Sequence, residues 1–301
     1  MEDRSHLLLL LAAVLLWLNV VSWPVFYLLL QSYVPQWPGV MCIYGVTRIG
    51  TGSLGTARFL PPLVTSLQAL KPILVFLSGA WFVLHLLNRR TRTAPLTGRV
   101  LLVLLASGFV AVADAAAEGA YLVIPKKEVF LSAGCCTDVF NEESRADRFV
   151  PKGLVGEERT PRLYAVYYAV NLGMVLALAV GVRLFRRRLA LGWLAPLALM
   201  VAITAAVNAV FLIEAAAPRL IHMPDHHCLY DLVPRAPESL AAVALFVLGA
   251  FAVGWACVAG WLGNGPESRA FLAGTIPRLL YLGLLGCLGS LVILSVELAL
   301  T

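Results

Sequence analysis

The chain has 301 residues, of which 60% are hydrophobic and 13% charged, with a mean hydropathy of +0.85 and a formal net charge of +6. Soluble domains carry about a quarter of their residues as charges, so this composition excludes an ordinary soluble globular protein. The surplus of Lys and Arg gathers at the ends of apolar blocks, where it needs no nucleic-acid partner to explain it.

The apolar blocks are each about 20 residues or longer, enough to cross a bilayer core as helix, and backbone groups in lipid must be satisfied within the segment. Seven such blocks follow in chain order. The first covers 7–30 and begins HLLLLLAAVLLWLNVVSW. It continues through Trp17, Trp23 and Tyr27 without a small-residue cleavage site, so it reads as an uncleaved span rather than a secretory signal. The others cover 61–87, 100–124, 163–184, 190–217, 238–263 and 278–300. The expected fold is therefore an all-α integral membrane protein of seven transmembrane helices in a single polytopic domain, with the lipid bilayer as its first partner.

Short loops orient the spans. Arg89, Arg90, Arg92 and Arg99 follow span two, and Arg183, Arg186, Arg187 and Arg188 lie at the end of span four and just beyond it; dense arginine clusters of this kind stay in the cytoplasm. The 125–162 loop also holds seven Lys and Arg, but it is longer and carries seven acids, among them Glu142, Glu143, Glu157 and Glu158. The expectation is a prokaryotic inner-membrane protein with its N-terminus inside, its C-terminus outside, and outer loops at 31–60, 125–162 and 218–237.

Cys42, Cys135, Cys136 and Cys228 then fall in the outer loops, and Cys257 and Cys287 inside spans. Cysteines confined to the outer face fit a disulfide-permissive compartment. Cys42, Cys135 and Cys228 are separated by equal intervals of 93 residues, and Cys42-Ile-Tyr-Gly-Val echoes Cys228-Leu-Tyr-Asp-Leu. RFLP at Arg58–Pro61 echoes RFVP at Arg148–Pro151 in the same way. This reads as three helical-hairpin repeats of about 93 residues after a lead-in helix, with units 42–134, 135–227 and 228–301.

Polar residues within the spans share a depth. Asn19, Lys71, Asp114, Asn171 and Asn208 each lie about 8–11 residues from the outer end of their span, roughly 12–16 Å at 1.5 Å per residue. Glu118 lies one turn above Asp114 on the same face, and Glu214 and Glu297 sit nearer the outer ends. Ionisable groups at membrane depth face the bundle interior in pairs, and Lys71 with Asp114 is the natural pair. Lys71, Asp114, Glu118, Asn208 and Glu214 are the expected lining of an intramembrane pocket, with the asparagines reading chiefly as interhelical glue.

The stretch LIHMPDHHCLYDL crowds His222, Met223, Asp225, His226, His227 and Cys228 together. Imidazole beside thiolate and thioether suits copper or zinc. His222, His226, His227 and Cys228, joined by Cys42 and Cys135, are the candidate metal ligands. The same cysteines compete for a structural role, since Cys42, Cys135, Cys136 and Cys228 can form two disulfides across the outer loops; neighbouring cysteines pair poorly, so Cys135 and Cys136 would turn to Cys42 and Cys228. The sequence holds no phosphate loop, nucleophile elbow, zinc-protease helix or C-x-x-C pair, which argues against an enzyme acting by itself. The expected function is a binding or accessory component of an inner-membrane complex, with other membrane or periplasmic subunits, handling metal or redox chemistry at the outer face. The alternatives are a membrane thiol–disulfide oxidoreductase and an ion-coupled small-solute transporter.

Overall fold

The computed structural model describes residues 2–36, 40, 42–50, 55–126, 159–223 and 228–301. These residues are helical, with no strand among them, and seven of the helices are long and apolar enough to cross a membrane. The protein is an all-α membrane protein. Their outer faces carry large apolar side chains in the open, such as Trp17 at 71% exposure and Phe109 at 69%. A surface of that kind is unstable against water and matched to lipid.

The chain divides into two compact units, Met1–Cys135 and Cys136–Thr301. The first contains α1 (Glu2–Tyr33), the short α2 (Ile43–Thr47), α3 (Leu60–Arg89) and α4 (Thr97–Val123). α3 is the centre of this unit, packing against α4 on one side and α1 on the other. Pro61 and Pro62 open α3, where a missing N–H costs nothing. Pro72 lies in its interior beside Lys71 and removes one helical hydrogen bond there.

The turn between α3 and α4 is clasped by one side chain. Asn88 Oδ1 accepts the backbone N–H of Leu96 at 2.9 Å, and its Nδ2 donates to Thr97 Oγ1 at 3.1 Å. This fixes the register of the hairpin. Lys71 lies 17 residues before Asn88 and Asp114 lies 17 residues after Thr97. Both therefore stand roughly 25 Å from the turn, at the same level.

The second unit contains α5 (Arg159–Arg187), α6 (Leu194–Phe211), α7 (Ala217–Leu220), α8 (Leu229–Arg235), α9 (Pro237–Leu262) and α10 (Arg269–Leu300). A single π-helical turn, Leu212–Ala216, joins α6 to α7, so the fifth span is continuous with a widened turn in it. The four long helices close a ring in which α5 meets α6, α6 meets α9, α9 meets α10 and α10 returns to α5. Small residues set the α9–α10 distance. A Cβ on Gly286 would stand 2.6 Å from Leu245 O, and one on Gly283 would stand 2.8 Å from Val253 Cγ2. Gly and Ala at such a seam let two backbones approach as they cannot with larger side chains.

The observed spans contain or closely match the expected blocks. The largest departure is the seventh, which begins at Arg269 rather than near 278. The helix runs through Pro277 and Arg278, with Pro277 buried. Ser268 precedes this helix as its N-cap residue, and its hydroxyl donates to Gly263 O at 2.5 Å, closing the turn after α9.

Candidate functional site

The strongest constellation of charged groups lies inside the first unit. Lys71 on α3 has no solvent exposure. Its ammonium donates to Asp114 Oδ2 at 3.1 Å and to Glu118 Oε2 at 2.9 Å, both on α4. Asp114 and Glu118 are i and i+4 on that helix, so they stack on the face turned to α3. From α1, Ser22 Oγ lies 3.4 Å from the same nitrogen and the Phe26 ring centroid 5.3 Å from it. An ammonium has three N–H donors, and Asp114, Glu118 and Ser22 are three acceptors for them.

The two carboxylates differ in access. The Asp114 side chain is 8% exposed and that of Glu118 28%. Asp114 Oδ1 is buried and has no hydrogen-bond partner among the described residues. With all three groups ionised the cluster carries one net negative charge, at a depth where an uncompensated charge is expensive. One further proton or monovalent cation would bring it to neutrality.

A second polar bridge lies in the other unit. Asn171 Nδ2 on α5 donates to Asn208 Oδ1 on α6 at 2.7 Å, and Asn208 Nδ2 donates back to Asn171 Oδ1 at 3.3 Å. Asn171 Nδ2 also donates to Tyr167 O at 2.9 Å. This pair ties α5 to α6, as carboxamides facing each other across two spans do. Asn208 thus belongs with Asn171, while Glu214 sits half-buried in the π-helical turn.

At the end of α4, Lys126 is held between rings. Its ammonium lies 4.4 Å from the Tyr121 centroid and 5.6 Å from that of Tyr33. It also donates to the backbone carbonyl of Tyr121, and to that of Ile124 at 3.3 Å. A cation at a helix C-terminus complements the exposed carbonyls. Burial lowers the pKa of Lys126 below the ordinary lysine value.

The candidate metal and disulfide residues are only partly within the described chain. Cys135, Cys136, His226 and His227 lie outside the described residues. Cys42 and Cys228 are both buried, and each immediately precedes a short helix, α2 and α8 respectively. His222 is exposed, with a left-handed φ of 57°. Its N–H donates to Arg219 O at 3.2 Å, and the Met223 N–H donates to Pro218 O at 3.0 Å. That pair of bonds is a Schellman stop for the fifth span, with His222 in the position usually given to glycine. A helix-ending role for His222 was not legible in the histidine-rich sequence.

What fold and site define is a class: a multi-pass helical membrane protein with a buried ionic cluster in one of its units. The chain matches no protein-family model, no curated protein and no solved structure. Its function is therefore read from its own residues.

Proposed function

We propose that the protein is an ion-coupled membrane transporter of a small solute, with Lys71, Asp114 and Glu118 as its proton- or cation-exchanging centre. The observation that carries this is the unequal cluster itself: one buried ammonium between two carboxylates, with Asp114 Oδ1 left unbonded. Glu118, the more accessible acid, is the entry point, and Asp114 is the inner acceptor. Uptake of a proton at either carboxylate frees the ammonium to favour the other, which changes the tie between α3 and α4. Pro72, next to Lys71, weakens the helix at the point where such a shift would be felt. In this reading the protein sits in a prokaryotic inner membrane with the arginine-rich turns in the cytoplasm.

The test uses purified protein in proteoliposomes, with transient currents recorded while small solutes are offered under an imposed pH gradient. A solute-dependent current in the wild type should fall at least tenfold in Asp114→Asn and in Glu118→Gln. Currents that persist unchanged in both variants would reduce the cluster to a structural ion pair.

A second reading, a component that handles metal or redox chemistry at the outer face with partner subunits, is favoured by the cysteines. Cys42 and Cys228 head two short helices of similar sequence in separate units. The two readings separate on thiol chemistry, which the transport assay does not touch.

A further inference from the structure

The second unit holds a cleft of about 170 Å³ at membrane depth, lined by residues of the fourth to seventh spans. Its floor is formed by Tyr167, Ala242, Ser290 and Leu294, all buried. Its rim includes Phe246, which is half-buried, and Ala209, which is exposed on the face of the fifth span. The cleft can therefore be reached sideways from the lipid.

Its chemistry is specific in three respects. First, none of the lining residues is charged, so a charged ligand would enter without compensation. Second, it offers hydrogen-bond donors. Ser290 is 7% exposed, and its hydroxyl makes no hydrogen bond among the described residues. Ser78, Ser107, Thr204 and Ser295, also on spans, each bond back to the carbonyl four residues earlier. Asn208 spends one amide hydrogen on Asn171 and retains a second, since a carboxamide has two. Third, the volume matches a single six-membered ring; an apolar cavity of about 150 Å³ takes up benzene. The π-helical turn begins at Leu212, itself part of the lining, and such turns recur at functional sites.

A neutral ring with acceptor oxygens, delivered through lipid on an apolar tail, satisfies all three. We propose that this cleft binds the head group of a lipid-soluble quinone, with Ser290 and Asn208 donating to its carbonyl oxygens and Phe246 and Tyr167 flanking its ring. The site uses no residue of the Lys71 cluster, so it stands or falls independently of the transport reading.

The test titrates the full-length protein in phosphatidylcholine nanodiscs with a benzoquinone bearing a short alkyl tail, read by quenching of intrinsic fluorescence. Saturable binding is expected. Ala209→Phe, a change at an exposed rim position, should weaken it tenfold or more by filling the mouth, with thermal unfolding in detergent matching the wild type. Ser290→Ala should weaken it about fivefold, the loss of one hydrogen bond. Displacement of the quinone by an alkyl alcohol of the same tail length at equal concentration, or equal binding of the quinone to both variants, would overturn the proposal and assign the cleft to lipid chains. An effect of Ala209→Phe with none from Ser290→Ala would likewise overturn the recognition of a carbonyl head.

Discussion

Lys71 shows how one residue's environment decides what its neighbours can be. Removing it alone leaves the buried Asp114 beside the half-buried Glu118 with no cation between them. Lys71→Met should destabilise the protein by about 3 kcal/mol or more, the usual result of breaking a buried pair from one side. Combining it with Asp114→Asn and Glu118→Gln should restore most of the loss, because no charge then remains buried. Thermal unfolding in detergent of the single and triple variants checks both outcomes. The pairing of Lys71 with Asp114, and the stacking of Glu118 above it, were legible from depth and helical spacing. Ser22 and Phe26 were not, because α1 is nearly apolar all round and no pattern in it marks the face that meets α3.

His222 makes a second prediction at this scale. A non-glycine residue with left-handed φ is strained, so His222→Gly should preserve or raise stability by up to about 1 kcal/mol. If His222 instead served chiefly as a metal ligand, the same change would lower the metal content of the purified protein. Lys126 adds a pH dependence whose sign is determined. Its folded pKa lies below the unfolded value, so between the two the unfolded chain binds more protons. Stability should therefore rise with pH through that window, modestly because the side chain is partly solvated, and Lys126→Gln should flatten the rise in denaturation profiles.

Three helical hairpins show three ways of joining two spans at one level. About 17 residues from its turn, α3–α4 uses an ion pair and α5–α6 an amide pair. At the same distance, α9–α10 brings the backbone of Gly286 against Leu245. Gly286→Leu should open the last seam and destabilise by about 1–3 kcal/mol, the range for overpacking, while Ser295→Ala, on the same helix, should change little. Differential scanning in detergent compares them. Asn88 is the corresponding control point of the first hairpin: Asn88→Ala should cost about 1 kcal/mol by leaving Leu96 N–H without its side-chain acceptor. The Gly-rich stretches of α9 and α10 advertised close packing in the sequence. The π-helical turn at Leu212–Ala216 did not show, because the span is apolar all round, so the rotation of about 100° that one extra residue imposes moves no polar face.

For the molecule as a whole, the cysteines give the sharpest prediction. Thiol counting on the denatured, unreduced protein should find Cys257 and Cys287 reactive. If Cys42, Cys135, Cys136 and Cys228 form two disulfides, no other thiol should appear. Three or more additional thiols together with about one copper or zinc per chain would establish these cysteines as part of a metal site instead. Cys257 donates weakly to Leu194 O at 3.5 Å from within the bundle, as a small buried side chain does, and takes no part in either outcome.

Composition and block length alone determined that this is a seven-span helical membrane protein, because lipid tolerates only long apolar segments with internally bonded backbones. They also determined the level at which its polar residues lie, because rise per residue converts position along a span into depth. Which polar groups meet was decided by tertiary structure, since azimuth around a helix is set by packing against its neighbours. Only that packing brought Ser22 and Phe26 to Lys71, gave Asn171 to Asn208, and left the hydroxyl of Ser290 facing a cleft.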